Sequence, residues 1–422
     1  MINTSSQLPY PSLLMRTFGR KCPATNQPRN RMMKRLRRSG LMTVFSLLLG
    51  ISTSHTMAGP IDQARRMHDR LVGVPPSPKV LNSMEAQIAA GDPIQAAYEA
   101  MDNPIFYIST LKNFVTPWSN EARTIFGDLN DYTALIIGMV RDDIPFNQVL
   151  SSDLIYIGDP NTVSTPYSHT NNKHYQELER ERVDLSDPQL FFGVTQSGLP
   201  DSQLSSLDAA GIITTRAAGE AFFKGGTNRR MTRFLAINYL CRDLEQMKDI
   251  TRPVDRIRQD VSRSPGGNST LFLTSCTGCH SGMDPLSQAF AYLEFDQELG
   301  RVIHTSGQVQ PKYLINANTF RLGFTTTDNR WDNYWRQGVN ASLGWRGKNT
   351  GGYGPKSLGQ EIANSRAFSL CQVEKAFEQI CFRVPRSTSD RDEVERIADV
   401  LETNNYSLKR VFAETATFCM GE

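Results

Sequence analysis

The sequence lacks an apolar run long enough to cross a membrane as a helix. Its best candidate, residues 41–51 (LMTVFSLLLGI), has 11 residues, whereas a bilayer requires about 20. This run follows the basic segment 32–38 (MMKRLRR) and precedes a polar stretch that ends at Ala58. This order is typical of an export signal, so we predict a signal peptide over residues 1–58. An over-early start codon would account for the prefix 1–31, and an uncleaved anchor is the alternative to cleavage after Ala58.

Acidic residues are absent from this predicted leader. Residues 1–58 contain nine of the 46 Lys and Arg residues and none of the 43 Asp and Glu residues. The rest of the chain therefore has 37 basic and 43 acidic residues, and the basic balance of the whole sequence belongs to the leader. A nucleic-acid partner is not indicated, because such proteins carry a basic patch or stripe. We expect a mildly acidic protein in the periplasm, with no membrane span after signal cleavage.

A second Cys-x-x-Cys pair is also absent, which restricts the interpretation of the pair that is present. Residues 276–280 read Cys-Thr-Gly-Cys-His, and such a run is the attachment signature of c-type haem. Each thiol can bind one haem vinyl group, and the adjacent imidazole can bind the iron. Zinc usually needs two such pairs, and a thiol redox pair does not require the His. The motif therefore predicts one covalent haem c on Cys276 and Cys279, with His280 as the proximal iron ligand.

The remaining cysteines of the exported chain are even in number: Cys241, Cys371, Cys381 and Cys419. An oxidising compartment favours two disulfides, and buried free thiols are the alternative. Cys371 and Cys381 lie ten residues apart on one predicted helix, about 15 Å, whereas a disulfide needs Cα atoms within about 7 Å. In an up-down-up bundle, Cys381 and Cys419 lie at the far ends of parallel helices. We therefore predict the pairs Cys381–Cys419 and Cys241–Cys371.

Apolar periodicity predicts a mainly α protein with three parts after the leader. These are a helical N-terminal domain with a long loop (59–227), a haem-attachment domain with short hairpins (228–357) and a C-terminal three-helix bundle (358–422).

Several local features are expected within these parts. Asp92 and Asp131 are predicted to cap helices of the first domain, and residues 159–227 to form its long irregular loop. In the second domain, a helix is expected over 229–248, and another helix is expected to start at Asp284 as N-cap.

Two groups of side chains near the motif have alternative interpretations. Four arginines of the predicted helix either pair with haem propionates or form a solvated face, which we favour: Arg229, Arg230, Arg233 and Arg242. Four aromatic residues among glycines either cover a haem edge, stack on a sugar or pack under loops, which we favour: Trp331, Trp335, Trp345 and Tyr353.

Four segments, in order, resemble the large secreted haem-motif proteins first noticed in planctomycete genomes. They are 141–158 (RDDIPFNQVLSSDLIYIG), 229–241, 276–296 (CTGCHSGMDPLSQAFAYLEFD) and 365–419. In that family, Asp-Pro-Leu and then an aromatic residue and Phe-Asp follow the haem motif. The resemblance implies a periplasmic or cell-surface c-type cytochrome-like protein of unassigned reaction. Only the haem motif carries over residue by residue, since the family has no agreed catalytic residues. The chain lacks the carbohydrate-binding modules of larger members, which weakens a polysaccharide role.

Three functions remain open on this basis. A haem with two protein ligands would transfer electrons to a periplasmic redox partner protein, and this is the function that we favour. A haem with one open side would be an enzyme of the peroxidase or oxygenase type. In the third, haem mainly stabilises the fold of a structural subunit.

The sixth iron ligand separates the first two functions. Methionine is absent from residues 284–419, and His304 is the only His downstream of the motif. We predict His304 as the second iron ligand, because 24 residues suffice to pass round a haem. The alternatives are Met283, Met420, His169, His174 and an open coordination site.

Overall fold

Helices dominate the structure, a computed structural model that describes residues 58–224, 226–347 and 350–421. It contains 14 α-helices and three antiparallel two-stranded sheets, and 51% of it is helical, which confirms the prediction of a mainly α protein. None of its helices combines the length and the apolarity that crossing a bilayer requires, as far as the described residues go. The predicted signal peptide lies outside the described residues except for Ala58.

The described chain begins with three helices, α1 (Pro60–Val72), α2 (Pro78–Ala89) and α3 (Pro93–Met101). Each starts with Pro, which is tolerated there because the first N–H groups of a helix have no intrahelical partner. Asp92 accepts a hydrogen bond from the Gln95 N–H at 3.1 Å, which confirms the predicted cap. Helices α1 and α3 pack against the last helix of the chain.

The next part contains more regular structure than the sequence indicated. Its elements are α4 (Lys112–Val115), α5 (Asp131–Arg141), β1 (Ile155–Gly158), α6 (Lys173–Arg180), β2 (Phe191–Val194) and α7 (Arg216–Phe222). Strands β1 and β2 pair antiparallel. The prediction of one long irregular loop over 159–227 was therefore partly wrong. Helices as short as α6 and α7 depend on tertiary contacts, so their periodic signal is weak.

The prediction that Asp131 caps the helix that follows it was wrong. Asn130 caps α5 instead, by accepting a hydrogen bond from the Thr133 N–H. The buried Asp131 carboxylate accepts the N–H groups of Arg216 and Ala217 at 2.6 and 2.9 Å. It therefore caps α7, a helix that begins 85 residues later in the chain.

The segment around the motif combines helices with hairpins. Its elements are α8 (Arg229–Tyr239), α9 (Ser269–Leu271), α10 (Thr277–Ser287), β3 (Leu293–Asp296), β4 (Arg301–His304), β5 (Arg330–Asp332) and β6 (Gly351–Tyr353). Strand β3 pairs with β4, and β5 pairs with β6.

Two helix boundaries in this segment differ from the predictions. Helix α8 ends at Tyr239 rather than at 248, because Cys241 adopts a left-handed conformation with φ of 51°. The Arg242 N–H then bonds the Ala236 carbonyl at 3.2 Å, a helix-ending arrangement that usually has Gly at the left-handed position. Asp284 does not start a helix either, since Pro285 lies inside the last turns of α10.

The chain ends in α11 (Gly354–Ala363), α12 (Arg366–Cys381), α13 (Thr388–Thr403) and α14 (Leu408–Cys419). The last three pack on one another as the expected bundle, and Ser387 and Ser407 cap α13 and α14. The structure joins Cys241 to Cys371 and Cys381 to Cys419, with Cα atoms 5.2 and 5.6 Å apart. These are the two pairs that the sequence predicted.

One hydrophobic core extends through all three predicted parts of the chain. It includes Met67 from α1, Phe290 after α10 and Phe412 from α14. The motif helix α10 packs against α8 on one side of this core, which fixes its position relative to the Cys241–Cys371 disulfide.

Candidate haem-attachment site

A π-helical turn, Phe272–Cys276, leads directly into the motif helix α10. The Thr277 hydroxyl donates to the Phe272 carbonyl at 2.8 Å and so ties the two ends of this turn together. π-helical turns are rare and occur frequently at functional sites. Cys276 and His280 are four residues apart, so they share a face of the helix.

The two motif thiols differ from the other described cysteines. Cys276 and Cys279 are both free and partly exposed, whereas the remaining four are paired in disulfides. The Cys279 Sγ lies 3.6 Å from the Leu244 carbonyl, and burial raises the pKa of its thiol. The Cys279 sulfur therefore remains in the thiol form, and both sulfurs are within reach of a reagent from solution.

The His280 imidazole is oriented by a carboxylate. Its Nδ1 lies 3.0 Å from Asp284 Oδ1, one helical turn further along α10. With Nδ1–H donating to Asp284, Nε2 carries the lone pair that can bind a metal. Metal-binding histidines are oriented in this way, and the carboxylate raises their basicity. The His280 side chain is 22% exposed, so this nitrogen is reachable.

Asp284 is itself held by a buried charge network. Arg229 Nε and Nη2 lie 2.7 and 3.0 Å from its two carboxylate oxygens, and the same guanidinium contacts both oxygens of Asp260 at 2.9 Å. Burial alone would raise the pKa of the Asp284 carboxyl, but Arg229 and His280 hold it well below its usual range. The carboxylate is therefore ionised, and it fixes the imidazole on a rigid support.

Two glycines allow close packing behind the motif helix. A Cβ on Gly278 would overlap the Lys248 side chain, and a Cβ on Gly282 would overlap the Trp335 ring. Trp335 is 2% exposed, so it packs under the loops, as expected, and contacts the side of α10 that carries Gly282. These contacts leave the face of Cys276 and His280 toward solvent.

Exposed apolar side chains lie next to the motif. Leu271 and Leu273 precede Cys276 on the same helical stretch and are 44% and 61% exposed. Ile250 is 63% exposed and lies beside Gly278. Covering exposed aliphatic side chains with an apolar group is favourable, because apolar surface is removed from water. These side chains therefore suit contact with a porphyrin ring. The free thiols, the oriented imidazole and the apolar side chains together fit a covalent haem.

The structure places His304 among other residues. Its side chain is 4% exposed, its Nε2 lies 3.5 Å from Asp208 and its ring packs against Tyr292. None of these contacts includes a motif residue, and His304 ligation stays a prediction. His174 is buried and structural, since its Nε2 accepts the Gly158 N–H at 3.0 Å, and His169 contacts the Pro200 carbonyl.

The roles of Arg229 and Asp284 were missed by sequence reasoning. Asp284 was interpreted as a helix cap and Arg229 as part of a solvated face, but both support His280 from inside the protein. Of the other arginines, Arg230 pairs with Glu121 and Arg233 with Asp243. The spacing of four between His280 and Asp284 was the available signal, because such pairs are neighbours on a helix.

Comparison of the chain with models of known protein families, with curated proteins and with solved structures finds no match.

Proposed function

We propose that this chain is an exported c-type cytochrome-like protein that carries one covalent haem c and transfers electrons to a redox partner protein in the periplasm. Cys276 and Cys279 would hold the haem through thioether bonds, and His280 Nε2 would bind its iron. The bound haem would supply a one-electron redox centre. The resemblance to the planctomycete-type haem-motif proteins supports this proposal from the sequence side.

One observation carries the proposal: two free, reachable thiols lie beside an imidazole whose Nδ1 is already occupied. A structural zinc site would require further ligands. No group of three or more His, Cys, Asp or Glu side chains in the described ranges is arranged to hold a metal ion. A haem needs only one protein ligand once its vinyl groups are bound.

Electron transfer is favoured over catalysis by the openness of the site. The motif faces solvent beside exposed Leu273 and Ile250, where a partner protein can approach. Cys276, Cys279 and His280 line neither of the two cavities described below, within the part of the chain that the structure describes. A substrate pocket beside a catalytic haem would normally be a cleft.

The test is expression of the exported chain in a bacterium with a haem-attachment system. The denatured protein should gain the mass of one haem, and Cys276→Ala with Cys279→Ala should abolish the gain. Ser275→Ala, an exposed neighbour outside the motif, is the control and should retain the haem. Haem that survives denaturation of the double variant would refute attachment at this motif.

The haem-enzyme alternative is favoured by one contact, the Asp284 carboxylate on His280. A carboxylate partner makes the imidazole a stronger donor, and a strong axial donor favours oxygen chemistry in haem proteins. Carbon monoxide separates the two functions, because it binds quickly only where one side of the iron is open. Rapid binding to the reduced wild type would favour the enzyme, and slow binding would favour electron transfer.

A further inference from the structure

Two connected cavities lie beside the β3–β4 hairpin. The larger has a volume of about 460 Å³, and the smaller of about 20 Å³. Both are lined by Tyr167, His169 and Arg301, so the two cavities adjoin. The small cavity is also lined by the buried side chains of Thr214 and His304, and it is called the inner end below. A volume of several hundred Å³ is typical of sites for small molecules, and about 20 Å³ holds one water-sized group.

The large cavity is mostly apolar. Ile157, Val163, Pro166 and Leu199 contribute to its lining. Its polar lining includes His169 and Arg301, which also line the small cavity. A mostly apolar chamber with a small number of polar groups is the usual form of a site for a small organic ligand.

Two arginines at the inner end have unused hydrogen-bond donors. The Nε atoms of Arg216 and Arg301 are buried and have no hydrogen-bond partner, although both side chains line the small cavity. Arg301 Nη2 donates to the Asp201 carbonyl, and Arg216 Nη1 donates to Glu220. A buried donor without a partner destabilises the fold, so this arrangement gains from an acceptor that enters the cavity.

Of the nearby acidic residues, Asp201 lines the large cavity and lies close to His169, and three others have partners of their own. Asp208 accepts the Ser205 hydroxyl at 2.5 Å and faces His304. Asp131 caps α7 through backbone N–H groups, and Glu220 binds the outer end of Arg216. Of the two guanidinium groups at the inner end, Arg216 pairs with Glu220, whereas Arg301 forms no ion pair with a carboxylate of the described residues.

We propose that this cavity binds a small organic carboxylate, with its apolar body in the large chamber and its carboxylate at Arg216 and Arg301. The planar guanidinium group of arginine can donate two parallel N–H hydrogen bonds to the two oxygens of a carboxylate. The inner volume holds a single small group, and the apolar chamber favours an organic molecule over an inorganic ion. His304 and His169 line this site. Neither cavity is lined by Cys276, Cys279 or His280, so the proposal does not depend on haem attachment at the motif.

Calorimetry on the folded full-length exported protein tests the proposal, with benzoate, benzamide and inorganic phosphate as probes. Benzoate should bind, and the uncharged benzamide should bind more weakly or not at all. Arg301→Gln should weaken benzoate binding by about 10- to 100-fold, since a hydrogen bond to a charged group is worth about 1.5–3 kcal/mol. Arg180→Gln, which changes an exposed arginine outside both cavities, should leave it unchanged.

Three results with benzoate and benzamide would overturn the proposal. They are absence of benzoate binding to the wild type, equal binding of benzoate and benzamide, and equal benzoate affinity of Arg301→Gln and Arg180→Gln. Tighter binding of phosphate than of benzoate would also overturn it, because the site would then recognise an inorganic anion. Far-ultraviolet circular dichroism of each variant separates a loss of binding from a loss of folding, and Arg216→Lys provides a second variant that keeps the charge.

Discussion

Replacement of Asp284 by Asn tests whether this carboxylate supports His280, the candidate iron ligand. The Asp284 side chain is completely buried, and it contacts Arg229 and His280. Removal of one partner from a buried ion pair costs about 3–5 kcal/mol. Since Arg229 keeps both contacts to Asp260, we expect a loss near the lower end, about 3 kcal/mol, in the free energy of unfolding measured with urea.

The same variant should change the haem if the proposed function is right. Asn at position 284 accepts the His280 Nδ1–H without a negative charge, so the imidazole becomes a weaker donor to iron. The reduction potential measured by redox titration should therefore rise.

Asp260→Asn is the matched control. It removes the other carboxylate from Arg229 but has no contact with His280 among the described residues. It should lower stability and leave the reduction potential almost unchanged. An equal change of potential in both variants would contradict a role for Asp284 that acts through His280.

The difference in the free energy of unfolding between wild type and Asp284→Asn should also depend on pH. In the folded protein the pKa of Asp284 is held below its usual range by Arg229 and His280, against the effect of burial. A carboxyl with a depressed pKa stabilises the fold above its unfolded pKa of about 3.9 and loses this contribution as the pH falls. The difference between wild type and Asp284→Asn should therefore narrow below about pH 4.

Three further predictions concern stability. Gly282→Ala should destabilise the fold by about 1–3 kcal/mol in urea unfolding, because its Cβ would overlap the buried Trp335. Burial lowers the pKa of Lys312 to about 8, against about 10.4 when unfolded, so wild-type stability should rise between these pH values and Lys312→Met should remove that rise. The Cys381–Cys419 disulfide spans 38 residues, so Cys381→Ser with Cys419→Ser should lose up to about 4 kcal/mol in thermal unfolding.

Each of these predictions has a clear negative result. Gly59→Ala is the control for the glycine, because a Cβ there meets no atom within 4 Å, and equal stabilities of the two variants would contradict the packing argument. Identical pH profiles of wild type and Lys312→Met would show that another group titrates. Peptide mapping without reduction that joined Cys371 to Cys381 would contradict both disulfides.

Local signals predicted the features that depend on neighbouring residues. The Asp92 cap, the last three helices and the Cys381–Cys419 pair follow from spacing along one helix or between adjacent ones. The ends of α8 and α10 were not predictable in this way. The disulfide from Cys241 and the buried pair of Asp284 with Arg229 are contacts between distant parts of the chain, and tertiary contacts of this kind override local preference.

The candidate site also combines features that local sequence signals predicted with contacts that they did not predict. Cys276, Cys279 and His280 follow from a motif whose chemistry is local. The carboxylate that orients His280 belongs to Asp284, four residues later in the sequence. It was interpreted as a helix cap because Asp-Pro is a common helix start. The Asp260 contact to Arg229 spans 31 residues and has no sequence signature.

The packing of α1 and α3 against α14 has a consequence for how the protein is made. The first helices of the described chain cannot complete their part of the core until the final dozen residues are present, because α14 covers α1 and α3. Under the proposed function, a chain exported in extended form would therefore acquire its fold only after its last helix has crossed the membrane. Throughout that interval the region around Cys276 and Cys279 would stay open to the enzymes that the proposed haem attachment requires.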